Sequence, residues 1–433
     1  MERRKFLKKA GLASLGLAAS PYILPSGRLF AATGSRMVNH VVFCLFAGGV
    51  RDLESIQKAE GNLMPHILSG TEPISGDISG SMDPLPGPSG PRLQEFGTLY
   101  KGFKYSTGPT GHINGHNAVI TGRYNDTSLN LLSRPEYPTL FEYYRKHYQP
   151  ERSALDAWWI SNQLGPYPDL NYSNYPGYGP LYGANFLAPL SMVSQEGYDA
   201  VGSPTNFDPD EKDQINQLQK FFNGNFQAAG ESLFAGVPNT REDREALDAF
   251  LSQTYQEALA GVYTDPWGVG ASMNGDMYNL FFAEKVMEAF KPELMVVNMF
   301  DVDVAHQNFT QYCNNLRKAD YALAHLWNTI QSTPGMANDT LLIAVPEHGR
   351  NLEANTIQDA NGRFALDHTG DEMSRSIFCL VAGPNNVVNQ NQVIQSTTGE
   401  TIDIVPTIAK ALGFDQDIPG GMLPGRFLNE AFL

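Results

Sequence analysis

The sequence predicts an α/β protein built on an open, parallel β-sheet. Short apolar runs of strand length alternate with runs in which apolar residues recur at helical spacing. Five of the nine histidines lie beside strand-like runs. Such positions suit a site, because the carboxyl ends of the strands of an open parallel sheet converge on one crevice. With 433 residues, 42% of them hydrophobic, the chain can bury a large core.

The apolar pattern gives an ordered set of strands and helices. The expected strands are His40–Ala47, Thr98–Tyr105, Met295–Phe300, Leu341–Val345 and Ile377–Val381. The expected helices are a run from Asp52, one whose N-terminal region holds Asn114–Ile120, one beginning at Pro138, residues 211–262, Leu316–Ile330 and Glu400–Gly413. Proline at a helix start and glycine at a helix end support two of these boundaries.

The remaining segments are predicted to be irregular. Residues 70–92 are rich in Gly, Ser and Pro and form a predicted loop. Residues 164–210 are dense in Tyr, Pro, Gly and Asn, and we expect a surface excursion that leads into a helical insertion ending near residue 262. Residues 33–433 are otherwise predicted to form a single α/β domain.

The N-terminal residues 1–32 resemble a bacterial twin-arginine export signal. Arg3-Arg4 and further basic residues precede the short apolar stretch Ala10–Ala19, and small residues near Ala31 suit a cleavage site. A cytosolic amphipathic helix is the alternative interpretation. This apolar stretch is too short to span a bilayer, and no later segment offers about 20 uninterrupted apolar residues. We therefore expect a periplasmic or secreted protein, exported by the twin-arginine route, without a membrane span after cleavage.

Net charge and cysteine content restrict the partners and the chemistry. Residues 1–32 carry six basic side chains and one acidic side chain, so their removal takes the formal charge from −16 to −21. A surface this acidic argues against nucleic acid as a partner, and an anionic substrate would need a local cation. The three cysteines, Cys44, Cys313 and Cys379, cannot all pair, and we expect no disulfide framework.

Acids and histidines after three of the strand-like runs predict a metal centre. The candidate ligands are Asp301, Asp303, His306, Glu347, His348 and His368. Mixed carboxylate and imidazole ligands suit zinc or manganese better than calcium, and one or two ions are expected. For any single histidine, a helix cap or a satisfied core position is the alternative. The ordered combination favours a metal site.

Two further histidines stand in the segment GPTGHINGHN. His112 is a candidate acid, base or nucleophile at the start of a helix whose free amides suit a tetrahedral anion, with Asn114 and His116 as orienting donors. The alternative is that His112 and His116, four residues apart, only cap and brace a turn.

The order of these motifs resembles the alkaline phosphatase and sulfatase superfamily over nearly all of residues 37–415. The matching segments are VVFCLFAGG, HNAVITGRY, PTLFEYYRKH, FDVDVAHQNF, AVPEHGR, DHTGDE and TIDIVPTIAKALG. The resemblance implies a doubly wound, mostly parallel sheet with helices on both faces. It also implies two metal ions and hydrolysis of phosphate or sulfate esters.

At several site positions this chain has residues that differ from those of the family. The family's metal-binding aspartate after the first strand is replaced by Gly48-Gly49, and Asp52 is the nearest candidate. His112 stands at the family's nucleophile position, with Thr110 two residues away. Glu347 replaces an aspartate beside His348, and His368 fits the last ligand. These departures resemble the exported DUF1501-type branch, which has no settled activity.

The sequence therefore predicts an exported, metal-dependent hydrolase of small phosphate or sulfate esters. If the centre is catalytic, the nucleophile is a water, Thr110 or His112. A non-enzymatic alternative is a degenerate member of the superfamily that binds an envelope glycan or a protein through the Tyr-rich residues 164–185. A phosphomutase or transferase is the third interpretation.

Overall fold

The structure, a computed structural model, describes residues 35–129, 134–148, 154–162, 170–189, 239–369 and 371–433. Its strands are β1 (His40–Phe46), β2 (Gly97–Lys104), β3 (Ala157–Ile160), β4 (Asn185–Leu187), β5 (Leu294–Met299), β6 (Thr340–Pro346), β7 (Ser376–Ala382) and β8 (Gln392–Glu400). Its helices are α1 (Gly76–Ser79), α2 (His112–Thr121), α3 (Leu140–Tyr143), α4 (Arg241–Leu259), α5 (Gly275–Phe290), α6 (Phe309–Ser332) and α7 (Ile404–Leu412). No helix within these ranges has the length and apolar character that crossing a membrane requires.

Eight strands form one sheet in the order β4-β3-β5-β1-β6-β7-β2-β8. Neighbouring strands are parallel except at β7, which runs antiparallel to both β6 and β2. The central strand β1 pairs with β5 on one side and with β6 on the other. The predicted α/β fold with a doubly wound, mostly parallel sheet is confirmed.

Helices cover both faces of the sheet, because β1 and its neighbours direct apolar side chains to both sides. Cys44 and Phe46 belong to one apolar cluster, together with residues of α5 and α6. Phe43 and Leu45 belong to a second cluster, together with residues of α3 and α7. Burial of the strand on both faces explains why its sequence is a continuous apolar run.

All five predicted strands are present, but the pattern missed β3, β4, β8 and α5, and the short helix α1 lies in residues 70–92, which were predicted to be a loop. The helix expected from Asp52 is wrong, since residues 52–57 form turns. The backbone N–H of Gln57 donates to the carbonyl of Asp52 five residues back, and that of Ala59 donates to Leu53 six residues back. These spacings close wide turns, whereas a helix needs bonds to the fourth residue back.

Some predicted segments fall partly or wholly outside the described residues. The export signal at residues 1–32 is one of them, and residues 163–169 and 190–238 of the excursion are others. The described part of the excursion contributes β4 at the edge of the sheet and the helix α4.

Candidate metal centre

Three neighbouring parallel strands deliver their following loops to the same edge of the sheet. β1 leads into Gly48-Gly49, β5 into the 3-10 turn Asp301–His306, and β6 directly into Glu347 and His348. β2 is parallel to β6, since each is antiparallel to β7, and it leads toward His112 at the start of α2. The sheet therefore brings these loops together as its topology predicts.

His368 reaches the same edge by a different route. It precedes β7, and because β7 is antiparallel to its neighbours, the start of β7 lies beside the end of β6. The rings of His348 and His368 stack with centroids 4.4 Å apart, and His112 and His368 are also 4.4 Å apart. His306 lies 4.8 Å from His368. The structure thus brings the four predicted histidines into one cluster.

His112 lies between the two carboxylates of this cluster. Its Nδ1 is 2.7 Å from Glu347 Oε1, and its Nε2 is 3.1 Å from Asp303 Oδ1. Carboxylate oxygens accept hydrogen bonds and ionised carboxyls donate none, so both ring nitrogens of His112 act as donors in this arrangement. Burial acts to lower the pKa of His112, but the charge of Glu347 and the hydrogen bonds that His112 donates to both carboxylates raise it to about 9.

The other three histidines direct Nδ1 away from the carboxylates of the cluster. Nδ1 of His348 lies 2.8 Å from the Gly349 carbonyl, and Nδ1 of His368 contacts the Thr110 carbonyl. A carbonyl only accepts, so we assign the proton of both rings to Nδ1. Nδ1 of His306 lies 2.7 Å from Asp367 Oδ1, which favours the same tautomer. The Nε2 lone pairs of these rings are then available for a ligand.

These lone pairs face acceptors, and this observation tests whether a metal ion fits. His348 Nε2 is buried without a hydrogen-bond partner among the described residues and lies 3.3 Å from Glu347 Oε1. His306 Nε2 lies 3.3 Å from Asp303 Oδ1. Two acceptors at such a distance repel each other unless a cation pairs with both. A histidine that gives its other N–H to a carbonyl or carboxylate is the usual metal ligand.

Two overlapping sets of side chains have the spacing of a metal site. In each set the potential ligand atoms lie within 4.8 Å of one another. One set is His112, Asp303, His306 and His368, and the other is His112, Glu347 and His348. The donor atoms are imidazole nitrogen and carboxylate oxygen, which suit zinc and manganese. The residues present therefore fit a divalent ion.

The charges at the centre favour ionised carboxylates and neutral buried histidines. Burial opposes the charge of Glu347, but His116 and the other histidines hold its pKa well below its usual range. Burial also opposes the charge of Asp303, but the hydrogen bond from His112 and the charges of His112 and Arg350 lower its pKa. Burial lowers the pKa of His348. Metal ligands require these same protonation states. His112 is the exception, because its raised pKa favours the protonated ring and its two nitrogens donate to Glu347 and Asp303.

The burial of the cluster is uneven, which gives it an inner and an outer side. Glu347 and His348 are fully buried. The side chains of His112, Asp303 and His306 are 20%, 22% and 31% exposed. A substrate from solvent would therefore meet the outer side first.

Gly48 and Gly49 allow the loop after β1 to pass close under the cluster. A Cβ on Gly48 would lie 2.8 Å from the Cβ of Asp303, and a Cβ on Gly49 would lie 2.5 Å from His348 Nδ1. Both glycines also have positive φ, at 102° and 79°. The Gly48 N–H donates to Glu347. Glycine at these positions is required by the ligands above them.

The structure does not bring Asp52 and Asp301 into the cluster. Asp301 Oδ2 accepts the backbone N–H of Asp276 at 3.0 Å at the start of α5, so this carboxylate caps a helix. Asp52 is buried beside Glu54 on the turns after β1, and burial followed by the charge of Glu54 raises its pKa to about 7. Neither belongs to the two ligand sets.

Three residues expected to face substrate have other contacts. The Thr110 hydroxyl donates to the His368 carbonyl. The Asn114 amide donates to the Thr127 carbonyl at 2.9 Å and its oxygen accepts the N–H of Leu129 at 3.0 Å, which fixes the loop after α2. His116 is fully buried, contacts Glu347 through Nδ1 and lies 2.9 Å from Asn298 through Nε2. The geometry therefore places them behind the cluster.

Asp367 and the role of Arg350 were not predicted from the sequence. Arg350 is fully buried, and its Nη2 lies 2.8 Å from the Asp303 Oδ1 that also faces His112 and His306. The same guanidinium donates to the carbonyls of Gly49 at 3.1 Å and Leu366 at 2.8 Å, and also to that of Gly48. The only sequence signal for this role is that Arg350 follows the predicted ligand His348 by two residues. An arginine so near a metal ligand is well placed to pair with a carboxylate of the site.

No family model matches the chain, and no curated protein matches it. Similar solved structures include a protein in the alkaline phosphatase superfamily from Vibrio parahaemolyticus, with 13% identity and a TM-score of 0.49 over 94% of this chain and 74% of that chain. The alkaline phosphatase PafA has 11% identity and a TM-score of 0.47 over 93% of this chain and 100% of that chain. A 2-O GAG sulfatase has 11% identity and a TM-score of 0.45 over 91% and 73%. At these values the likeness carries no information about activity or site residues.

Proposed function

We propose that the chain is a divalent-metal-dependent hydrolase of phosphate or sulfate esters. The observation that carries this proposal is the set of Nε2 lone pairs of His306, His348 and His368, which share a cluster with the carboxylates of Asp303 and Glu347.

The ligands of the ion would be Asp303, His306 and His368, with Glu347 and His348 on the inner side. A bound divalent ion supplies Lewis-acid stabilisation of negative charge on an ester oxygen. Zinc or manganese is proposed, since both accept this mixture of oxygen and nitrogen donors.

His112 is proposed to donate a proton to the departing ester oxygen. It is partly exposed, it stands at the first position of α2, and its ring nitrogens are held by Asp303 and Glu347. The free amides of the first turn of α2 suit a tetrahedral anion. Water is the proposed nucleophile, because the Thr110 hydroxyl is bonded to the His368 carbonyl. Water oxygen then bonds to phosphorus or sulfur as the bond to the ester oxygen breaks. The ester oxygen takes a proton from His112, and the proton that the water loses restores His112.

The test is metal analysis of the full chain produced in its own host, with assays on aryl phosphate monoesters, diesters and aryl sulfates. We expect at least one tightly held divalent ion per chain. His306→Ala and His348→Ala should lower kcat/KM by more than the roughly 10–100-fold that loss of an outer-shell partner causes. His40→Gln is the matched control, because His40 begins β1 and lies about 20 Å from its carboxyl end at about 3.3 Å per residue.

Absence of any bound ion would contradict the proposal. Activity that is unchanged by both ligand substitutions would have to come from a contaminant. A chain with neither ion nor turnover would favour the alternative, a protein that binds an envelope glycan or a protein partner.

We further propose that residues 1–32 are a twin-arginine signal and that residues 33–433 form the mature domain in the periplasm or outside the cell. Arg3-Arg4 supports this proposal. Replacing both arginines with lysine should stop export in the native host, and an unchanged N-terminus on the exported protein would contradict it. Gly48-Gly49, His112 and Glu347–Arg350 support a place in the DUF1501-type branch.

A further inference from the structure

A cavity of about 260 Å³ lies between the C-terminal half of α6 and residues 86–91. Its wall includes Tyr321 and His325, which come twelve or more residues after the start of α6. At about 1.5 Å per residue this places the cavity about 20 Å along the helix from the metal centre. The cavity is therefore separate from the metal centre and from the function proposed for it.

Two histidines in the cavity wall are each held by a buried carboxylate. Nδ1 of His66 lies 2.7 Å from Asp320, and Nδ1 of His325 lies 2.7 Å from Glu284. Asp320 and Glu284 are 0% and 5% exposed. The Nε2 atoms, on the opposite side of each ring, have no hydrogen-bond partner among the described residues. Each ring is thus fixed in orientation with one nitrogen free to bind.

Packing fixes these rings further. Trp267 stacks on His325 with centroids 4.4 Å apart, and its indole N–H donates to the same Glu284 at 3.0 Å. Tyr321 packs edge-on against His66 at 5.5 Å. Such preorganised polar groups in an aromatic wall are the usual features of a small-molecule site.

The wall is aromatic and neutral. Phe96 and Trp327 pack together at 5.4 Å, and the indole N–H of Trp327 is buried without a partner among the described residues. Of the described residues that line the cavity, none is Lys, Arg, Asp or Glu. The polar groups are imidazole, indole, hydroxyl and amide. This lining disfavours an ion and suits an uncharged ligand that has both an apolar face and hydroxyl groups.

We propose that this cavity binds one ring of a neutral sugar. The apolar face of the ring packs on the aromatic side chains, which combine apolar area with a polar edge. Its hydroxyls pair with the free Nε2 atoms of His66 and His325. The volume suits a single ring, since pockets for larger ligands run from about 300 to 1,000 Å³.

The test is a ligand-observed NMR titration of the full chain with glucose, galactose and N-acetylglucosamine, and with phenol as a neutral aromatic probe. We expect at least one sugar to bind with a millimolar Kd. Ala324→Phe fills the cavity from a partly exposed helical position and should weaken that binding at least tenfold. Ala249→Phe on α4 is the matched control, as an exposed helical alanine outside the cavity, and should leave the Kd unchanged.

Thermal unfolding shows whether Ala324→Phe is folded. If it is not, His325→Ala replaces it, because this side chain is 33% exposed and its loss should also weaken sugar binding tenfold. The proposal is overturned if no sugar binds at millimolar concentration, if binding survives the substitution, or if phenol binds more tightly than every sugar.

Discussion

Replacing Arg350 with methionine should destabilise the fold by about 3 kcal/mol. The substitution leaves the carbonyls of Gly48, Gly49 and Leu366 without a donor, at about 1 kcal/mol each. Asp303 loses a cation at 2.8 Å, but it is 22% exposed, so this loss adds only about 1 kcal/mol. Burial of the methionine side chain returns about 1 kcal/mol.

The assay is urea unfolding with a chelator present, so that metal binding does not contribute. Arg375→Met is the matched control, since this guanidinium is 28% exposed and donates to the Gly108 carbonyl at 2.8 Å. We expect the control to lose less than about 1 kcal/mol. Equal losses in the two variants would refute the reasoning. In the Asp303→Leu background the loss from Arg350→Met should shrink, because the two side chains are in contact.

Three further predictions follow from the contacts at and near the centre. Zinc or manganese at about 100 times its Kd should stabilise the chain by about 2.7 kcal/mol in thermal unfolding. His348→Ala should abolish this stabilisation, and an equal stabilisation of the variant would contradict the ligand assignment. Thr110→Val should lower turnover by only about 10-fold, as for an outer-shell partner, and complete loss with metal still bound would identify Thr110 as the nucleophile. Burial, then the charge of Glu54, raises the pKa of Asp52 to about 7, so the folded chain keeps this proton to higher pH than the unfolded chain. The resulting stability is present in acid and is lost as the pH rises through about 7. Asp52→Asn should therefore be more stable than wild type above that pH and differ little from it near pH 4. Parallel curves of unfolding free energy against pH would rule this out.

The positions of the long buried strands were the part of this fold that the sequence could predict. β1, β5 and β6 are buried on both faces, so their apolar runs are continuous and easily found. β3 has only four residues, and β8 is a polar, partly exposed edge strand, so neither gives a clear apolar period. The direction of β7 is invisible in its sequence, because an apolar run carries no orientation.

The candidate ligands were predicted in part, because sequence spacing does not report long-range contacts. In the 3-10 turn after β5, Asp303 and His306 are three residues apart and share one side. Asp301 stands two residues earlier and caps α5, a helix that the pattern did not reveal. Asp52 lies on turns where a helix was expected. Arg350 and Asp367 act only through their neighbours, which a search for ligand-type motifs does not find.

The antiparallel course of β7 has a consequence for how this protein can vary. Because β6 and β7 are hydrogen-bonded neighbours, residues 347–375 leave the sheet and return to it at almost the same point. The loop between β6 and β7 therefore carries Glu347, His348, Arg350 and His368, and its two ends lie side by side in the sheet. Lengthening such a loop costs little free energy, because each doubling of loop length adds only about 0.6 kcal/mol of closure entropy. Insertions in the middle of this loop, around residues 352–364, could change what the protein recognises. The ligand residues near the two ends of the loop would stay in place.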